Sequence, residues 1–137
     1  MQIKEFCDLH GDPSLTMEDR FPLKHHFGGG VYAREMFAEK GSLVVGKIHK
    51  HACIATVLKG EMEILTENGR KLIHGGDIII SQPGMMRAGF AYEDTVFVTY
   101  HATNKLDPEE IINDITVLTF EDFDRFIESQ KLLECIP

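Results

Sequence analysis

The sequence predicts an all-β fold, an antiparallel barrel or sandwich with a short helical extension at its C-terminus. Three observations lead there. Short β-prone runs follow one another from Val31 to His101. The breaks between them combine glycine with asparagine, aspartate or proline, as in Glu67-Asn68-Gly69-Arg70, Gly75-Gly76-Asp77 and Gln82-Pro83-Gly84, which is turn and hairpin chemistry. Those breaks are also too short for the crossover of about a dozen residues that parallel strands require.

Composition narrows the function classes. With 137 residues, 43% of them hydrophobic, the chain suffices for one domain with its own core. A formal charge of −8, with 14 basic residues against 22 acidic ones, argues against a phosphate-tracking nucleic-acid surface. Small molecules or proteins are the expected partners. No apolar run approaches the ~20 residues of a membrane helix, and the N-terminus lacks a signal-peptide core, so a soluble, cytoplasmic chain is expected. Cys7, Cys53 and Cys135 are odd in number and widely spaced, which reads as reduced thiols.

In order, residues 1–29 form an N-terminal arm with a short strand at 2–6, a turn at Gly11-Asp12-Pro13-Ser14 and a polar stretch ending in His25-His26-Phe27-Gly28-Gly29-Gly30. A solvated loop is the reading for His25 and His26. Strands are expected at 31–38, 43–48, 52–58, 61–66, 70–74, 78–80, 85–90 and 95–101, making 30–104 the barrel. Glu35 reads as an exposed strand glutamate, and His74 as a solvated turn neighbour. Residues 105–137 form the extension: Asp107-Pro108-Glu109-Glu110 starts one helix, and Thr119-Phe120-Glu121-Asp122 starts another that runs to about 130. Phe120, Phe123 and Phe126 of the second helix are a packing face for the barrel or for a partner subunit.

The chemistry concentrates in the run from Gly46 to Gly60. If it is extended, alternation places His49, His51 and Cys53 on one face. Residues two apart on a strand lie roughly 6.5–7 Å apart, so two imidazoles can converge on one ion at about 2.0–2.1 Å from each nitrogen. A surface strand with two solvated histidines is the alternative. A third ligand is needed, and His101 on the last strand is preferred because imidazole suits many divalent ions; Cys53 is a further candidate, with Glu35 and His26 behind it.

Residues 30–101 resemble the cupin superfamily, small β-barrels built as a double-stranded β-helix or jelly roll. Its first motif is a His-x-His pair followed by a glutamate and closing on a glycine. His49-Lys50-His51 matches the pair, Gly60 the closing glycine, and Cys53 occupies the glutamate position, although the interval between pair and Cys53 is two residues short. The second motif runs Gly76, Gln82-Pro83-Gly84, Met85-Met86 and then a histidine and an asparagine slot, which here hold Arg87 and Ala91. Gly30-Val31-Tyr32-Ala33-Arg34-Glu35 and Val44 to His51 also look like a subgroup of small bacterial and phage cupins.

The resemblance implies one divalent transition metal ion per chain inside the barrel, with iron, zinc, nickel and manganese all suited, and it implies a homodimer. It places Arg87 in the interior, where a guanidinium cannot bind a cation but can hold a small carboxylate or a phosphate, with Met85, Met86 and Phe90 as apolar wall. Two function classes follow: a metal-dependent oxygenase, isomerase or lyase, and a non-catalytic ligand-binding or structural cupin whose metal site has eroded.

Overall fold

The computed structural model describes residues 2–10 and 21–134. Helix α1 (Ile3–His10) precedes nine strands: β1 (Leu23–Gly28), β2 (Val31–Ala38), β3 (Leu43–His49), β4 (Cys53–Lys59), β5 (Glu61–Thr66), β6 (Gly69–His74), β7 (Ile78–Ser81), β8 (Met86–Ala91) and β9 (Thr95–Ala102). Helix α2 (Pro108–Ile115), the two-residue strand β10 (Thr116–Val117) and helix α3 (Phe120–Glu134) follow. The strands form two five-stranded antiparallel sheets, ordered β1-β2-β9-β4-β7 and β10-β3-β8-β5-β6. This is the antiparallel all-β architecture that the strand rhythm predicts, in the double-stranded β-helix form that the resemblance implies.

Inward-pointing residues of both sheets build the core. Met36, Val57 and Phe97 from the first sheet pack with Val44, Met62 and Ile73 from the second. Turn chemistry holds the strands in register. Gly60 has φ +101°, and a Cβ there would stand 2.5 Å from the Asp94 carbonyl oxygen, so only glycine serves.

The N-terminus departs from expectation twice. Residues 2–6 are not a strand. Ile3, Phe6, Cys7 and His10 recur at the spacing of a helix face, and α1 lays that face on the outside of the second sheet, with Phe6 fully buried. The His10 ring stacks on Phe90 at 4.3 Å, and its Nε2 lies 2.8 Å from Glu63 Oε1. Phe90 therefore packs under α1 rather than walling the interior. The stretch holding His25 and His26 is β1, paired with β2 along its whole length, and not a solvated loop. The Gly11–Ser14 turn lies outside the described residues, as does Cys135; Cys7 and Cys53 are free thiols.

The C-terminal extension folds back onto the barrel. Asp107 caps α2 by accepting from the Glu109 amide, with Pro108 in the first turn. After α2 the chain adds β10 to the sheet edge beside β3, pairing Thr116 with His49 and Val117 with Ile48. Phe123 of α3 presses on Gly84, and Phe126 meets Lys50 and His51, so two of the three expected phenylalanines cover a barrel corner while Phe120 stays exposed.

Candidate functional site

Along each inward face, apolar residues give way to polar ones toward one end of the barrel. On β2 the inward series is Ala38, Met36, Arg34, Tyr32; on β9 it is Phe97, Thr99, His101, all buried. Register sets Arg34 directly across from Thr99 and Tyr32 across from His101. The polar end opens into a cavity of about 340 Å³, whose walls include His25, Arg34, Lys47, His49, Thr99 and His101 and whose outer side is α2, through Pro108, Glu109, Ile112 and Asn113. Deeper in, a pocket of about 50 Å³ shares Arg34 and Thr99 with the first and adds Arg87 and Phe97.

A β-bulge decides which part of the histidine run reaches this cavity. Val44 and Gly46 line the deeper pocket, so strict alternation would bring Ile48 inward next and turn His49 out. The pairing of β3 with β8 shifts between Val45 and Ile48, and the extra residue reverses the parity. Lys47 and His49 then face the cavity. His49 is fixed by its pairing to β10 and by its carbonyl, which accepts from the Gly84 amide at 2.8 Å.

The expected single face of His49, His51 and Cys53 is not formed. Strand β3 ends at His49, residues 50–52 turn the corner, and β4 begins at Cys53. His51 is exposed, its ring edge-on to Phe126 at 5.5 Å. Moving the motif's pair back two residues, to Lys47 and His49, restores the family interval to Cys53. The four positions at which the resemblance expects metal ligands are then Lys47, His49, Cys53 and Arg87.

The structure does bring His49, Cys53, Arg87 and His101 together. Arg87 Nη1 donates to Cys53 Sγ at 3.3 Å, and Cys53 Sγ lies 3.7 Å from His49 Nδ1. The His49 and His101 rings are 5.9 Å apart, and His101 Nε2 is hydrogen-bonded to the Thr99 hydroxyl at 3.0 Å. The Arg87 guanidinium sits over the Phe97 ring at 5.3 Å, and among the described residues no Asp or Glu pairs with it. Burial pushes the His49 imidazole down to about 3, with Arg87, His101 and Arg34 adding to the effect. Burial and then the same two arginines push His101 down to about 4. Both rings are neutral at physiological pH.

These groups do not suit a divalent cation. Among the described residues no cluster of three or more His, Cys, Asp or Glu side chains is placed to hold one. Two neutral imidazoles supply nitrogen donors, but the thiol is engaged by a guanidinium, and Lys47 and Arg87 stand where ligands would be needed. Permanent positive charge so close opposes a metal ion.

Several residues of the site, Arg34 and His25 among them, are not singled out by the sequence. Arg34 shares an inward parity with Tyr32, Met36 and Ala38, and an arginine in an otherwise apolar series was the available signal. His25 could not be found that way, because its role depends on β1 joining the sheet: its Nδ1 and the Tyr32 hydroxyl are hydrogen-bonded at 2.6 Å. His26 and Glu35 meet on the outer face at 3.1 Å, away from the cavity. His74 is exposed beside Glu61 and Asp77, as expected.

No protein-family model matches the chain. A 1-deoxy-D-xylulose-5-phosphate synthase from Hahella chejuensis is 30% identical over 106 residues, 77% of this chain but 15% of that protein. Solved structures carry the fold. A double-stranded β-helix protein from Klebsiella pneumoniae matches with a TM-score of 0.52 and 21% identity, over 61% of this chain and 78% of its own. A cupin superfamily protein from Desulfitobacterium hafniense matches with a TM-score of 0.53 and 11% identity, over 64% and 81%. A cupin-2 domain protein from Shewanella frigidimarina matches with 0.51 and 10%, over 74% and 93%.

Proposed function

The chain is a cupin by fold, and on that premise we propose that its barrel is a binding site for a small organic anion, held by guanidinium groups where other cupins would hold a metal. One observation carries this reading. Arg34 stands in the wall common to both interior cavities, 8% exposed, with Arg87 on its inner side and neutral His49 and His101 on its outer side. Two guanidinium groups in one interior wall favour an anion, and Arg87, with which no Asp or Glu of the described residues pairs, can hold a carboxylate or phosphate with bidentate geometry. The Hahella protein is named for a phosphate ester, an anion of this kind, in an enzyme of which the matched region is a small part.

Thermal-shift screening of small organic acids tests the reading. A stabilising acid is expected, with its effect abolished in Arg34→Met and at least halved in Arg87→Ala; an acid that stabilises both variants as well as the wild type would overturn it. Elemental analysis of tag-free protein is expected to find far less than one transition metal ion per chain. One equivalent, lost in His49→Ala, would restore the metal-binding reading.

We also propose a second copy of the chain as the partner for the outer face of the first sheet. Ile54 and Leu58 of β4 and Ile78 and Ile80 of the edge strand β7 all lie more than half exposed there.

A further inference from the structure

The cavity has two unlike sides. Its barrel side carries one buried permanent cation, Arg34, with Lys47 near the mouth, and among them the neutral hydrogen-bonding groups His49, Thr99 and His101. Its outer side is α2, which presents Glu109 and Asn113 to it. These two are four residues apart and so adjacent on one helix face. The next acids along α2 are already engaged, since Lys105 pairs with both Glu110 and Asp114. The Glu109 and Asn113 side chains make no hydrogen bond or ion pair with any other described residue.

We infer that the cavity takes a polyhydroxylated anion, a sugar acid or sugar phosphate of five or six carbons, with its acid group against Arg34 and its hydroxyls between the Thr99–His101 wall and the Glu109–Asn113 pair. This rests on the anion-binding reading of the same cavity. The neutral polar groups outnumber the cations, and although Thr99 and His101 bond each other and His25 bonds Tyr32, each keeps hydrogen-bonding capacity that a ligand carrying only an acid group would not use. A hydroxyl both donates and accepts. It suits an imidazole, a threonine hydroxyl or an amide equally, and a carboxylate beside an amide offers a vicinal diol two acceptors and a donor. The volume, about 340 Å³, lies at the lower end of small-molecule sites, roughly 300–1,000 Å³. A site built to hydrogen-bond hydroxyls discriminates strongly against the analogue lacking them.

Calorimetric titration of the full chain tests this with gluconate against hexanoate, ribose 5-phosphate against inorganic phosphate, and free lysine. Gluconate or ribose 5-phosphate is expected to bind at least about tenfold more tightly than its hydroxyl-free counterpart, and the tighter of the two identifies the acid group as carboxylate or phosphate. Asn113→Ala and Glu109→Gln, both on an exposed helix face, are expected to erase that preference. Equal affinity for gluconate and hexanoate, with ribose 5-phosphate no tighter than inorganic phosphate, would overturn the inference and leave the anion site standing. Tightest binding of lysine, lost in Glu109→Gln, would overturn it in favour of a zwitterion. If none of the anions binds, the anion reading itself fails, and this inference with it.

Discussion

His49 and His101 enter the folded barrel uncharged, which makes stability depend on acid. Their folded values, about 3 and about 4, lie below the 6.5 of an unconstrained imidazole. Below pH 6.5 the unfolded chain takes up protons that the folded chain refuses, so folding weakens as pH falls; above 6.5 neither ring contributes a slope. Each ring removes up to about 1.4 kcal/mol per pH unit in that window, until pH approaches 4 for His101 and 3 for His49. Urea unfolding at pH 7.5 and pH 5 measures the loss, and a His49→Gln/His101→Gln variant, which retains the surface carboxylates, isolates it. An identical pH dependence in the variant would show that the rings do not cause the loss. His51 is exposed at the corner and stands apart from the buried pair, although the sequence presents it as His49's equal. The two are separated by the end of β3 at His49 and the corner at residues 50–52, which nothing in the composition of the run marks.

At the scale of elements, hairpins were legible because the residues that form them are local. Gly69 adopts φ +99° after Asn68, Gly60 and Gly76 are likewise left-handed, and the strands between them fall within a residue or so of expectation. Helix α1 is read as a strand from the sequence, since eight residues with four on one face mean little until there is a sheet to lie on. That docking is energetic as well as geometric. Phe6→Ala is expected to cost about 3–5 kcal/mol, as for other fully buried phenylalanines, readable as a lower urea midpoint. A shift under about 1 kcal/mol would mean that α1 is only loosely attached. β1 was hidden for a similar reason: Lys24, His25 and His26 look solvated until β2 pairs with them.

At the scale of the whole molecule, one outer face is apolar enough to call for cover. Ile78 and Ile80 are 71% and 65% exposed on a strand that has no second neighbour among the described residues. The face carries no charge at these positions, so a two-fold related copy can meet it without like-charge repulsion despite the net −8 of the chain. Light scattering at micromolar concentration is expected to give a dimer mass, and an Ile78→Lys/Ile80→Lys variant a monomer; a monomeric wild type would remove the proposal. The cavity, for its part, is not the barrel's alone. Nearest-neighbour pairing ties β10 to His49, and α2 supplies one of the walls. Cutting the chain after residue 104 would therefore spare β1 to β9 but remove α2 and β10, and with them one wall of the cavity. Any transplant of this site into another scaffold has to carry the tail with it.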